Sequence, residues 1–256
     1  MTAQACADLV RRGDPDRWRT AMTAPPERRA GLMALYAFNL EIARAPWLAS
    51  EPMLAEIRLQ WWQDAVAEIY AGTRPRRHEV VEPLAGAIRA GDLPRGLFEE
   101  TIAARLFDAG SAPHADRPAL LRQIDRTAGH VMVLAALHLG APEAALDVVR
   151  RFALGTGIAA LLRALPELRA RGHATLPATV PIEALAAEGL QALAEARAAR
   201  HLVPRAVLPA LLPGWLAGLR LGRAAADPEA VWRGELEVAP IRARAALLRA
   251  AATGRW

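Results

Sequence analysis

Apolar residues recur every three to four positions along nearly all of this 256-residue chain, in windows of about 12 to 25 residues that Pro or Gly closes off. Ala, Leu, Arg and Glu fill these windows, and all four are good helix residues. No alternation of β-branched residues persists long enough to make a strand. After a short N-terminal helix, the pattern predicts helices at about 26–45, 51–71, 79–90, 94–109, 117–139, 142–170, 181–200, 204–221 and 227–251. The breaks fall at Pro46, Gly72 to Pro75, Gly91 to Pro94, Gly110 to Pro113, Gly140 to Pro142, Gly172 to Pro181 and Asp227-Pro228. Connections this short make successive helices antiparallel neighbours. The expectation is one all-α domain over 1–256, with a core at about 15–221 and a C-terminal helix at about 227–251.

Composition narrows the function classes. With 53% hydrophobic residues, the chain can bury a full core. The longest stretch free of Arg, Asp and Glu, Thr127 to Pro142, is interrupted by two His and two Gly and falls short of a membrane span. Met1 to Arg12 has neither an apolar signal region nor transit-peptide character, which points to a bacterial cytoplasmic location. Every one of the 32 basic residues is Arg, against 27 acidic residues, for a net charge of +5. The two signs are interleaved, so a solvated surface is expected and a nucleic-acid partner is not.

One cysteine, Cys6, excludes an internal disulfide and a multi-thiolate zinc site. His130 and His138 share a helix but lie about 12 Å apart along it, too far for one metal ion. Neither serine, Ser50 or Ser111, lies in a Gly-x-Ser-x-Gly turn. No resident metal or nucleophile is expected on these grounds.

Two helices carry the uncommon residues. In 51–71, Ser50 is a good N-cap, with Glu51 and Pro52 in the first turn. Leu54, Ile57, Trp61 and Ala65 form one apolar stripe, and Leu59, Trp62, Val66 and Tyr70 a second about 100° away. So much apolar circumference predicts a central helix, with Glu56, Gln60, Gln63 and Asp64 turned to solvent or lining a polar pocket, solvent being the commoner case for a helix surface. In 31–45, Leu32, Leu35, Phe38 and Ile42 make a core stripe. A chain that uses Asn once and Tyr twice places Tyr36 and Asn39 within four residues here.

Taken together, Leu35-Tyr36-Ala37-Phe38-Asn39, the Trp61-Trp62 helix and the Gly-punctuated stretch from Leu154 to Pro177 resemble the squalene/phytoene synthase family. The resemblance implies an all-helical isoprenoid-synthase fold with a central cavity. Active members hold prenyl diphosphates through Mg²⁺ on two facing aspartate-rich segments, and hard Mg²⁺ needs carboxylate oxygens for that work. In the first motif, Asp-Asp follows the Tyr-Ala-Phe run and a third Asp comes three residues on. Those positions here are Ala43, Arg44 and Trp47. Glu41 cannot substitute, since two helical residues rotate it by about 200° from Ala43. The second motif, Leu-Arg-Asp-x-x-x-Asp, corresponds to Leu162-Arg163-Ala164-Leu165-Pro166-Glu167-Leu168. It keeps Arg163 and puts Ala164 and Leu168 at the ligand positions, with Glu167 the one carboxylate left. The resemblance therefore implies the scaffold without its metal site.

A narrower likeness lies in Ala37-Phe38-Asn39-Leu40-Glu41, Ser50-Glu51-Pro52, Arg58-Leu59-Gln60-Trp61-Trp62 and Glu68-Ile69-Tyr70. This pattern resembles the mitochondrial respiratory complex I assembly factors built on the same fold. It implies a non-catalytic role with complex I subunits or assembly intermediates as partners. The residues for a cavity or interaction surface are Tyr36, Phe38, Asn39, Glu41, Arg58, Gln60, Trp61, Trp62, Arg163 and Glu167. Two alternatives stay open. One is a prenyl transferase using Mg²⁺ on recruited carboxylates, for which Asp64, Glu68, Asp125 and Glu167 are the candidates. The other is an isoprenoid- or lipid-binding protein, with Arg44 and Arg163 available to a phosphate headgroup. A membrane surface is a further candidate partner, through the basic amphipathic segments 204–221 and 241–256.

Overall fold

The computed structural model describes residues 3–48, 51–110, 112–173 and 176–256. Its helices are α1 (Ala3–Gly13), α2 (Pro15–Ala21), α3 (Pro26–Leu48), α4 (Pro52–Tyr70), α5 (Val81–Gly91) and α6 (Arg95–Phe107). Then come α7 (Arg117–Ile124), a single π-helical turn at Asp125–Gly129, and α8 (His130–His138), which continue one another without a break. The long α9 (Glu143–Ala170) and α10 (Ile182–Ala198) follow. Short pieces complete the chain: α11 (Leu208–Leu211), α12 (Ala217–Ala226), α13 (Glu229–Trp232) and α14 (Pro240–Thr253). Among the described residues there is no strand, and no helix is long and apolar enough to cross a membrane.

Local chemistry explains most boundaries. Asp14 and Asp116 cap α2 and α7, their carboxylates accepting from the backbone N–H of Arg17 at 2.9 Å and of Ala119 at 2.7 Å, with Pro15 and Pro118 in the first turn of each helix. Three expectations need correction. The helix expected to stop at Pro46 runs on to Leu48. Proline deprives only the Ile42 carbonyl of its helical partner, a single bond lost near the end of a helix of 23 residues. The single helix expected at 204–221 is instead two 3₁₀ turns, α11 and the start of α12, because Pro209 and Pro213 each remove a donor from the ladder. The one expected at 227–251 divides at Gly234, where φ is +72°, and restarts at Pro240. The helix predicted from 51 starts at Pro52 with Glu51 as its N-cap residue; Ser50 lies outside the described residues.

The fold is built around α3 and α9. α3 packs against α1, α4, α5 and α8, and α9 against α8, α10 and α12. Burial extends past the expected core at both ends, taking in Cys6 and Val10 of α1, then Val231, Leu236 and Trp256. Two glycines set the spacing of α9. A Cβ at Gly155 would stand 2.7 Å from the Gly189 carbonyl oxygen of α10, and one at Gly157 would stand 2.4 Å from Ile124 Cγ2. Buried histidines tie α8 to its neighbours. His138 Nε2 donates to the Arg28 carbonyl at 3.1 Å while Arg28 returns a bond to the His138 carbonyl at 3.2 Å. A carbonyl only accepts, so this contact selects the Nε2–H tautomer.

Gly155→Ala must push α10 away and is expected to cost about 1–3 kcal/mol. Gly86→Ala, inside α5 where an added Cβ meets nothing within 4 Å, is expected to gain about 0.5–1 kcal/mol. Urea denaturation midpoints separate the two. Burial, first among the causes, lowers the pKa of His130 and of His138. The unfolded chain therefore binds the extra protons, and the stability these residues contribute is present above about pH 6.5 and lost as pH falls below it. The expected result is a melting temperature that drops across this window, above the range where the carboxylates Glu68, Asp227 and Glu235, all with lowered pKa, begin to protonate.

Candidate functional site

A cavity of about 400 Å³ lies between the C-terminal half of α3, the end of α6, the α7–π–α8 helix and the middle of α9. Its apolar wall includes Leu40, Ala43 and Trp47 from α3 and Leu161, Ala164 and Leu168 from α9. The π turn adds Thr127 and Ala128, and Gly157 opposite it lets α9 close on Ile124 and Ala128, which a Cβ there would strike. The other wall is polar and connected. Arg105 donates to Asp108 at 3.0 Å and to Asn39 Oδ1 at 3.5 Å. Gln123 Nε2 donates to Asp108 at 3.0 Å and to the Ala104 carbonyl at 2.8 Å. Arg105 Nε is buried with no hydrogen-bond partner. Beside this network His114 stacks on Phe107 at 4.2 Å, and burial holds its pKa down.

The two degenerate motifs do face each other. Ala43 and Trp47 look across the cavity at Ala164 and Leu168. The Trp47 ring is edge-on to His173 at 4.6 Å, with the Arg171 guanidinium 5.5 Å from its centroid. Mg²⁺ demands near-octahedral oxygen coordination, and Asp108 is the single carboxylate among the described lining residues, already shared by Arg105 and Gln123. The residues present do not fit a magnesium–diphosphate site. No group of three or more His, Cys, Asp or Glu side chains among the described residues is arranged to hold a metal. None of the carboxylates named for recruitment lines the cavity: Asp64 and Glu68 sit on Arg76 at 4.0 and 2.7 Å, Asp125 on Arg150 at 3.3 Å, and Glu167, in an adjoining groove with Arg44, Trp47, Ala164 and Leu168, on Arg171 at 2.6 Å.

Of the other residues singled out in the sequence, Asn39 lines the cavity and most do not. Tyr36 is buried in the core, where desolvation pushes its hydroxyl up to about 12, and that hydroxyl has no partner. Phe38 packs edge-on against Trp62 and Phe98 at 5.4 Å each. Glu41 is half-buried outside the cavity, and Arg58 is exposed. Arg44 and Arg163, expected at the headgroup end, are not there. The Arg44 guanidinium fills the space over Gly13, and Arg163 pairs with Glu237 at 3.3 Å. Arg17 and Arg105 are the cavity's arginines. Nothing in the sequence marks Arg105, Asp108 and Gln123, which are ordinary helix-surface letters in an Arg-rich chain; the lone Asn marks one end of their network.

α4 corrects a further expectation. Its buried face is Ala55, Leu59, Trp62, Val66 and Ile69, while Met53, Leu54 and Ile57 are 63%, 44% and 57% exposed. The first apolar stripe therefore faces outward for its first two turns instead of marking a central helix. Glu56, Gln60 and Asp64 are exposed as expected, with Gln60 bonded to Asp64 at 2.8 Å. They line a shallow groove with Ile57, Trp61 and Leu106. Trp61 is half-buried under Arg76, whose guanidinium lies 5.2 Å from its ring centroid.

The family model for squalene/phytoene synthase matches residues 10–181, well over half of the chain. Complex I assembly factor 6 from cattle is 26% identical over 177 residues, which is 69% of this chain and 53% of the bovine protein. The human protein is 25% identical over 177 residues, again 69% and 53%. The chain thus spans about half the length of the curated relatives it matches. Among solved structures, a dehydrosqualene synthase in complex with ligand superposes with a TM-score of 0.81 at 14% identity, covering 98% of this chain and 95% of that one. The squalene synthase HpnC from Alicyclobacillus acidocaldarius superposes with a TM-score of 0.74 at 15% identity, covering 89% and 94%. At these identities the likeness carries the fold.

Replacing Arg105 by Met leaves Asp108 facing the cavity without its cation. The pair is about a fifth exposed, so the expected loss is about 1–3 kcal/mol, below that of a fully buried pair. Equilibrium denaturation of the variant measures it.

Proposed function

Since the chain belongs to the squalene/phytoene synthase family, we propose that it is a non-catalytic member that assists assembly of respiratory complex I, the NADH:quinone oxidoreductase. The observation that carries this reading is that Ala43, Trp47, Ala164 and Leu168, the residues standing where the family resemblance implies metal ligands, line one cavity. Ionising an allylic diphosphate develops several negative charges on the leaving group, and these side chains offer it nothing. Support on the positive side comes from the relatives called complex I assembly factor 6. The partners are complex I subunits or assembly intermediates, met at the cytoplasmic side of a bacterial inner membrane.

The outward face of α4 is the surface for such a partner. Met53, Leu54 and Ile57, continued by the groove at Trp61 and by Leu106, make an apolar patch with a polar rim of Glu56, Gln60 and Asp64. Patches of this kind on a folded chain mark interaction sites. A second reading has one observation in its favour. The Arg105 side chain stands in the wall of an open cavity whose opposite wall is apolar, a setting that suits an isoprenoid or lipid with an anionic headgroup at the guanidinium. Native mass spectrometry of the purified protein tests this: a bound lipid supports it, and a clean ligand-free species removes it.

Deleting the gene is expected to lower NADH:quinone oxidoreductase activity in membrane preparations while leaving squalene- and phytoene-derived lipids unchanged. The opposite pattern, or prenyl-transfer turnover by the purified protein with Mg²⁺, would falsify the reading. Ile57→Asp, at a site 57% exposed, is expected to keep the melting temperature within a few degrees yet fail to restore oxidoreductase activity to the deletion strain.

A further inference from the structure

α14 has two faces, and one of them is unpartnered. Toward the body, Ala250 is buried and Leu247 and Ala251 pack on the core. The helix is held from both ends: Trp215 Nε1 donates to the Ala243 carbonyl at 3.1 Å, and Arg205 donates to the Ala252 carbonyl at 3.2 Å. Beyond the left-handed cap at Gly254, Trp256 tucks its ring edge-on to Phe152 at 4.6 Å, and Arg197 donates to its carbonyl at 2.8 Å. The orientation of the outer face is therefore fixed by packing.

That outer face carries Ile241, Ala245, Leu248 and Ala252, all exposed, at spacings of four, three and four, which place them within about 40° of one line along the helix. Ile241 is 79% exposed and Leu248 71%. Arg242 and Arg249 flank this stripe on one side and Arg244 on the other, by the same rotation of about 100° per residue, with the exposed Arg255 just past the end. No acidic residue occurs from Pro240 to Trp256, and none of these four guanidinium groups has an ion-pair partner among the described residues. The nearest upstream acid, Glu237, is engaged by Arg163 and Arg220 at 3.3 and 3.7 Å.

We infer that α14 docks this chain on the surface of a bilayer containing anionic phospholipid, the stripe Ile241–Leu248 entering the headgroup boundary and Arg242, Arg244 and Arg249 meeting lipid phosphates. The charge complementarity is one-sided, as an anionic surface requires, and the aliphatic line running between cations suits a plane that is apolar below and anionic above. A nucleic acid would use the arginines and leave Ile241 and Leu248 in water. Arginine's planar fork also suits bidentate contact with phosphate. The inference stands on α14 alone and does not depend on the assembly role.

Co-sedimentation of the full chain with phosphatidylcholine vesicles, with and without phosphatidylglycerol, at low and high salt, tests it. The chain is expected to sediment with the anionic vesicles at low salt and to be released by high salt. Arg242→Gln/Arg244→Gln/Arg249→Gln is expected to weaken binding roughly a hundredfold, from about fivefold per cation. Ile241→Ser/Leu248→Ser, which keeps every charge, is expected to weaken it about tenfold or more. All five positions are exposed, and far-UV circular dichroism checks that the variants stay helical. Equal binding to both vesicle types, no binding to either, or binding unchanged by Ile241→Ser/Leu248→Ser overturns the inference. So does duplex DNA that displaces the vesicles from the parent chain and binds the serine variant equally well.

Discussion

Everything around the cavity depends on how closely α9 is allowed to approach its neighbours. At Gly155 the α10 backbone comes within van der Waals distance of α9, and at Gly157 the α7 side chains do. A Cβ at either place would force whole helices apart, since interiors packed to crystal-like density have no slack to absorb it. With α9 pinned on two sides, Leu161, Ala164 and Leu168 come to face α3 at the separation that leaves the cavity open. The cavity is thus a product of the scaffold's glycines, and it persists although the residues that would give it a catalytic metal are absent.

Much of the architecture was legible because Pro and Gly punctuate this chain heavily. The helices from α3 to α10 lie close to their expected positions for that reason. Legibility failed where proline density rose further: Pro209 and Pro213 stand four apart, so the helix there is cut to the single turn of α11 and a 3₁₀ turn, although the apolar pattern continues across. Pro46 failed in the other sense, as a proline close enough to a helix end to be tolerated. On α4 the periodicity correctly gave two apolar faces. Periodicity reports a face and says nothing of what covers it, and the face with Ile57 is covered by nothing within this chain.

The site divides in the same way. That Ala43, Trp47, Ala164 and Leu168 would meet is what the family resemblance implies, once local motif letters have placed them on it. The network of Arg105, Asp108, Gln123 and Asn39 is assembled from three helices, and no local pattern distinguishes its members from solvated letters. Arg44 shows the hazard of reading a cation by its motif position. One residue along a helix is about 100° of rotation, enough to carry it from the cavity to the groove over Gly13.

The same arithmetic gives the π turn its meaning. One residue more than an α-helical turn requires, at Asp125–Gly129, rotates everything downstream by about 100° relative to α7. α7 can therefore offer Leu120, Gln123 and Ile124 to the cavity, while α8 turns His138 to Arg28 and Gly31 of α3. The turn acts as a counter: the two halves of one continuous rod serve different neighbours because their phases differ. Loss of a single residue there, with the composition otherwise intact, would bring the halves back into phase and leave one of the two neighbours facing the wrong side.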